Sequence, residues 1–215
     1  MTPTPTNSPV KAVISDFGGV LTSPLIEAFI ALGASLGMSL ETLGIAMAAV
    51  TENGSNPLFE LETGRISEAS FLHTLGAQLS AQLGREIELH GFGERYFEQL
   101  HPNERLIEYM RELRDRGYKL AICTNNVREW EALWRAKLPV EEIFDVVVNS
   151  ALVGARKPEP RIYEVTLERL GLPPGAALLL DDVELNCAAA RQLGIGAVQF
   201  RSTEQAIEEI ETALA

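Results

Sequence analysis

Residues 10–16, VKAVISD, form a short run of small and β-branched apolar positions that ends in an acid. Such a run predicts a buried strand. The following FGGVLTSP carries the glycines, serine and proline of a turn. From 24 to 100 the texture changes. Ile26, Phe29, Ile30, Leu32, Ala34 and Leu36 recur at helical spacing, and no stretch alternates convincingly as a strand would. Breaks at Gly37-Met38-Ser39, at Asn53-Gly54-Ser55-Asn56-Pro57 and at Thr63-Gly64 divide this block into short helices. Ser67 ahead of Ser70-Phe71-Leu72 marks another helix start.

After Pro102 helices and strands alternate. Helices are predicted over 106–116, 128–137, 161–170, 185–193 and 204–214, with Gly117, Gly171 and Gly194 as stops. Strands are predicted over 118–123, 144–148, 176–180 and 196–200. This order implies right-handed βαβ units, hence an α/β fold with a mostly parallel sheet flanked by helices. The helical block interrupts it as a small all-α cap inserted after strand 1. The expected organisation is a disordered tail over 1–9, an α/β core over 10–22 and 104–215, and a helical cap over 23–103.

In open parallel sheets, ligands bind beyond the carboxyl ends of the strands. Here strand 1 ends at Asp16 and the second at Thr124-Asn125-Asn126. The loop after the third carries Arg156-Lys157-Pro158, and the fourth ends at Asp181-Asp182. Four strands in order thus deliver polar or charged groups to one edge. Each has a plainer reading alone: a structural acid for Asp16, a helix N-cap for Thr124-Asn125-Asn126, a solvated loop lysine for Lys157.

The 215 residues hold 18 Lys and Arg against 30 Asp and Glu, a net charge of −12, with no basic run. Nucleic acid and anionic membrane surfaces are therefore not expected as partners. A phosphate would have to be met locally. Asp16 close to Asp181 and Asp182 would be repelled and perturbed without a cation, which makes a divalent ion such as Mg²⁺ the economical expectation. A carboxylate can attack phosphorus and form an aspartyl-phosphate. The transferred group then needs donors around its oxygens. The Thr124 hydroxyl, the backbone at Asn125 and Asn126 where the next helix is expected to begin, and the Lys157 ammonium are the candidates.

DFGGVL, ICTN, RKPEP and LLDDVELN resemble, in order, the four signature motifs of the haloacid dehalogenase superfamily. The resemblance spans 10–22 and 104–200, and the helical block is similar to its C1-type cap. The chain looks most like the subgroup containing α-glucose-1-phosphate phosphatase and the N-terminal phosphatase domain of soluble epoxide hydrolase. The resemblance implies a Rossmann-like core and hydrolysis of a small phosphorylated metabolite, with Mg²⁺ as cofactor. It implies Asp16 as nucleophile and metal ligand, Thr124 and Asn125 at the phosphate, and Lys157 stabilising both nucleophile and phosphoryl group. Asp182 and the Gly18 carbonyl would ligate the metal. Asp181 would hold Lys157 or a metal-bound water, and Asn186 falls where many members carry another acid.

Phosphatases of this family usually carry a second Asp two residues after the nucleophile, which protonates the leaving oxygen and then activates water, although the resembled subgroup includes members with glycine there. Here that position is Gly18. Acid–base help of this kind is worth about 10²–10⁴-fold. Three enzymatic readings follow. The substrate has an easy leaving group, such as a sugar 1-phosphate or an acyl phosphate; or Glu60, Glu62 or His73 of the cap substitutes; or Asp16 attacks carbon, as in a 2-haloacid dehalogenase. A non-catalytic module binding a phosphorylated ligand is the fourth reading.

The remaining signals are modest. His73, His90 and His101 show no metal-ligand spacing, Trp130 and Trp134 suit packing, and Asn56-Pro57-Leu58-Phe59 suits a loop over the site. The acidic 204–214 helix is expected to be a solvated face. No apolar run reaches the length of a transmembrane helix, and MTPTPTNSP lacks the basic and apolar regions of a signal peptide. With Cys123 and Cys187 read as small core residues, the expected compartment is a reduced, cytoplasmic one.

Overall fold

The computed structural model describes residues 10–51 and 56–215. The expectation of a disordered tail, and the Asn53-Gly54-Ser55 part of one predicted break, lie outside these residues. The strands are β1 (Ala12–Ser15), β2 (Lys119–Thr124), β3 (Val146–Asn149), β4 (Ala177–Asp181) and β5 (Gly196–Gln199). They form one parallel sheet of order β3-β2-β1-β4-β5, with β1 in the middle. Between β1 and β2 come α1 (Leu25–Ser35), α2 (Leu40–Ala49), α3 (Pro57–Glu62), α4 (Glu68–Leu83), α5 (Phe92–Glu98) and α6 (Glu104–Asp115). The later helices are α7 (Glu131–Arg135), α8 (Val140–Ile143), α9 (Ser150–Val153), α10 (Pro160–Leu170), α11 (Glu184–Gln192) and α12 (Thr203–Leu214). This is the α/β class expected from the alternating pattern, with an all-α insertion after the first strand.

Strand periodicity explains the two cores. Val13, Leu120, Ile122, Leu178 and Leu180 face one side, where Leu106, Met110 and Leu113 of α6 and Ile210 of α12 cover them. Ala12, Ile14, Ala121, Cys123 and Leu179 face the other, against Ile162, Tyr163 and Leu170 of α10 and Ala190 of α11. A strand buried on both faces reads as a continuous apolar run, as β1 and β4 do. Cys123 and Cys187 are both buried and free.

The two connections to the helical insertion run side by side. Thr22 bridges Pro102, the Ser23 N–H donates to the His101 carbonyl at 2.7 Å, and the Asn103 N–H donates to the Leu21 carbonyl at 2.9 Å. Among the described residues no single helix is long and apolar enough to cross a membrane; α1 and α2 are apolar together but bent by 98°.

Two local expectations are corrected. The helix predicted over 128–137 shrinks to Glu131–Arg135. The Asn126 N–H donates to Ser150 Oγ at 3.0 Å and the Asn126 side chain accepts from the Val127 N–H at 2.9 Å, so the chain leaves β2 as a pinned loop. Asn125 and Asn126 therefore do not open a helix. The segment Asn56-Pro57-Leu58-Phe59 is a helix start instead of a loop. Asn56 accepts from the Leu58 N–H at 3.0 Å, and Pro57 takes the first turn, where its missing N–H costs nothing.

Candidate active site

Parallel register sets the site. Ser15 pairs with Ile122 on one side and Leu180 on the other, so Asp16 lies level with Cys123 and Asp181, one step short of Thr124. The Asp16 N–H donates to the Leu180 carbonyl at 2.9 Å, which extends the ladder to the acid itself. Gly19 then turns the chain with φ of 77°, and a Cβ there would lie 3.0 Å from Asp182 Oδ2. The glycine thus serves twice, by accepting the left-handed backbone and by letting Asp182 approach.

Lys157, 1% exposed, joins the strand ends. Its Nζ lies 2.8 Å from Asp16 Oδ1 and 2.6 Å from Asp181 Oδ2. Asn125 anchors the lysine backbone from both directions: its Oδ1 accepts from the Lys157 N–H at 2.8 Å and its Nδ2 donates to the Lys157 carbonyl at 3.0 Å. With its amide oxygen and one amide N–H so used, Asn125 can offer an anion its backbone N–H and the second amide N–H. Asp181 Oδ1 accepts from Asn186 Nδ2 at 2.9 Å and from the Val183 N–H at 3.0 Å. Both Asp181 oxygens are thereby engaged by protein donors. Asp16 Oδ1 also accepts from the Phe17 N–H at 2.7 Å, which leaves the lone pairs of Oδ2 available.

The electrostatics are strained in one direction. Burial pushes the Asp16 carboxyl up to about 7, with Lys157 opposing and Asp181 and Asp182 adding to the rise. Asp182 is raised by burial and then by Asp181. Burial works against the Lys157 ammonium, but Asp16 and Asp181 outweigh it and hold the lysine above its ordinary range. Carboxylate oxygens of Asp16, Asp181 and Asp182 lie within 4.8 Å of one another. Three carboxylates against one ammonium leave a formal excess of two negative charges, and every donor is a hard oxygen. This set fits a divalent cation of the Mg²⁺ kind.

The strand ends form the floor of a cavity of about 640 Å³ whose lining includes Asp16, Thr124, Asn125, Lys157, Asp182 and Asn186. Gly18 also lines it, with its Cβ position 2.8 and 2.9 Å from the two Leu25 methyls, so Leu25 occupies the space where a side chain at 18 would stand. Of the three candidate substitute acids only Glu62 lines the cavity. It is 2.7 Å from Arg156, and burial raises its carboxyl while Arg156 opposes. Glu60 pairs with Arg65, and His73 is exposed. Trp134 is fully buried against Phe17, whereas Trp130 stacks on Phe92 and Tyr96 of the insertion. The aromatic wall and the Glu62–Arg156 pair were not singled out from sequence, although Phe92, Tyr96 and Phe97 stand at helical spacing.

The sequence profile of haloacid dehalogenase-like hydrolases matches residues 10–194. The chain is 31% identical over 212 residues to acyl-CoA dehydrogenase family member 10 of Mus musculus, covering 95% of this chain and 19% of that protein. It is 28% identical over 198 residues to a sesquiterpene phosphatase of Aspergillus oryzae, covering 86% of this chain and 87% of that one. The chain spans about a fifth of the length of the first curated relatives it matches. The structure of a predicted HAD-like family hydrolase from Porphyromonas gingivalis superposes with a TM-score of 0.72 at 22% identity, over 96% of this chain and 98% of that one.

Proposed function

The chain belongs to the haloacid dehalogenase-like hydrolases, and we propose that within this family it is a Mg²⁺-dependent phosphatase of a small phosphorylated metabolite, working through Asp16. The observation that carries this reading is the chain of contacts Asp16–Lys157–Asp181, with Asp182 beside it, at the polar floor of a closed-in cavity. Likeness to the Aspergillus sesquiterpene phosphatase supports the reaction class. On this reading the helical block over 23–103 is the cap on a core of 10–22 and 104–215.

Asp16 Oδ2 attacks phosphorus while Lys157 and the Phe17 N–H hold Oδ1. The ester P–O bond breaks and the leaving oxygen departs with its electron pair. Water then attacks phosphorus, freeing inorganic phosphate and the Asp16 carboxylate, and its proton balances the charge left on the leaving oxygen. Thr124 and the backbone at Asn125 face the transferred oxygens, and Lys157 offsets their charge. Asp16, Asp182 and the Gly18 carbonyl would hold Mg²⁺, with Asn186 as a further oxygen donor and Asp181 chiefly positioning Lys157. When bound, the ion supplies positive charge next to the phosphate. Attack on carbon by Asp16, the dehalogenase reading, has no use for the two excess negative charges.

The deciding experiment is phosphate release from an aryl phosphate with Mg²⁺ and with a chelator. Turnover that chelation removes is expected; turnover indifferent to chelation overturns the proposal, and none under either condition favours a non-catalytic binding module.

A second expectation concerns Mg²⁺ affinity. The ion needs the Asp16 carboxylate, which holds a proton up to about pH 7. The dissociation constant should fall about tenfold per unit as pH rises toward 7, then level off. Titration calorimetry at pH 5.5, 6.5 and 7.5 measures this, and a flat series removes Asp16 from the ligand set.

The third concerns Gly18. An acid there restores proton transfer only if Leu25 moves aside. Gly18→Asp with Leu25→Ala should raise turnover of alkyl phosphates about 10²-fold and aryl phosphates little, with Gly18→Asp alone gaining less. Steady-state kinetics on the two substrate types tests it; equal gains on both would mean that leaving-group protonation is not what the wild type lacks.

A further inference from the structure

The cavity above the carboxylates has two chemically different ends. Beyond the polar floor its wall is built from Phe29 of α1, Leu43 and Met47 of α2, Phe71 of α4, Phe92 of α5 and Trp130 from the loop after β2. The polar side chains on that wall are few, and several are partly engaged. Thr51 Oγ1 donates to the Met47 carbonyl, Asn56 Oδ1 accepts from the Leu58 N–H, and Glu62 is held by Arg156. Tyr96 adds a hydroxyl to an otherwise aromatic and aliphatic surface. A sugar ring placed here would lose water from several hydroxyls and find few partners in return, which disfavours it.

We infer that the group carried by the phosphate is a hydrocarbon, and that the substrate is an apolar aryl or acyl phosphate whose chain or rings fill this wall. This rests on the phosphatase reading of the same site and replaces the sugar 1-phosphate expectation. Two observations converge on it. The apolar wall is continuous with the reactive carboxylate, so a single molecule can touch both. Gly18 leaves no side chain to protonate the leaving oxygen, and Glu62 is paired with Arg156, so an apolar group that carries negative charge well on departure, as a phenolate or carboxylate does, suits the site. A volume of about 640 Å³ falls within the range of pockets that enclose drug-sized ligands.

A series of 4-alkylphenyl phosphates tests the inference, because the alkyl chain grows while the leaving phenolate stays chemically constant. With Mg²⁺, kcat/KM should rise by up to about fourfold per methylene until the wall is filled, and glucose 1-phosphate should fall below unsubstituted phenyl phosphate. The variant Gly44→Phe narrows the wall. Gly44 lines the cavity, a Cβ there meets nothing within 4 Å, and the change favours helix formation in α2. It should lower the ratio of heptylphenyl to methylphenyl turnover at least tenfold. Phenyl phosphate turned over with no chain-length trend, or with glucose 1-phosphate preferred, overturns the inference while leaving the phosphatase reading intact. If no phosphate ester turns over, the phosphatase reading fails. Calorimetric affinities of the 4-alkylphenylphosphonates then decide the cavity's preference by the same trend.

Discussion

Asp16→Asn should lower phosphate release from an aryl phosphate roughly 10⁴-fold or more, the scale of deleting a covalent nucleophile, without lowering the melting temperature. The two outcomes separate because the carboxyl is costly where it sits. Its pKa is lifted by burial from 3.8 to about 7. A group raised in the folded state contributes stability that is fully present below its unfolded value and is lost as pH climbs through its folded one. In metal-free buffer the wild type should therefore lose stability relative to the variant between about pH 4 and pH 7. Asparagine keeps the shape, its Oδ1 can still accept from the Phe17 N–H, and Lys157 keeps Asp181. Paired melts across that interval, with assays beside them, check both halves. Retained turnover would remove Asp16 from the chemistry, and a large fall in melting temperature would make it a structural acid.

Lys157→Met should be the opposite case, lost in both activity and stability. The ammonium is 1% exposed and sits between two buried carboxylates. Removing one partner of a buried ion pair costs about 3–5 kcal/mol, since the remaining charge has neither water nor partner. The cost should be smaller at pH 5 than at pH 8, because Asp16, already raised by burial, can take up a proton once the lysine is gone. Urea unfolding at the two pH values measures the difference, and Lys157→Met with Asp181→Asn should recover part of it. A variant as stable as the wild type at pH 8 would show the lysine to be solvated in practice.

The residues at the strand ends were legible because each motif is local. A β-branched run ending in Asp16 or in Asp181-Asp182 fixes which side chain stands at the carboxyl edge, and parallel register does the rest. What happens after the edge was less legible. Thr124-Asn125-Asn126 has the composition of a helix start, yet a contact to Ser150, 24 positions away, holds it as a loop. The four-residue helices α8 and α9 span barely one turn, so no helical spacing repeats within them. Asn56-Pro57 carries a readable cap signal, an N-cap side chain followed by proline in the first turn. The cavity wall was hidden for another reason. Phe29, Phe71, Phe92 and Trp130 come from separate elements, and a hydrophobic residue facing a cavity leaves the same mark on a sequence as one facing the core. Asp181 shows the limit of motif reading. The resemblance anticipates its hold on Lys157, but the Val183 N–H and Asn186 Nδ2 that occupy its other oxygen are not encoded by any spacing.

Because β1 lies in the middle of the sheet, hydrogen-bonded on both sides, the proposed nucleophile Asp16 is anchored at the end of a strand held from both flanks. Most of the apolar wall, Trp130 excepted, hangs instead on helices that join the sheet through two short connections. Reshaping that wall by mutation should redirect which compounds are accepted while the reacting centre stays fixed. A single colorimetric readout could then rank a whole library of α2 and α4 variants, with any change in preference attributable to shape alone.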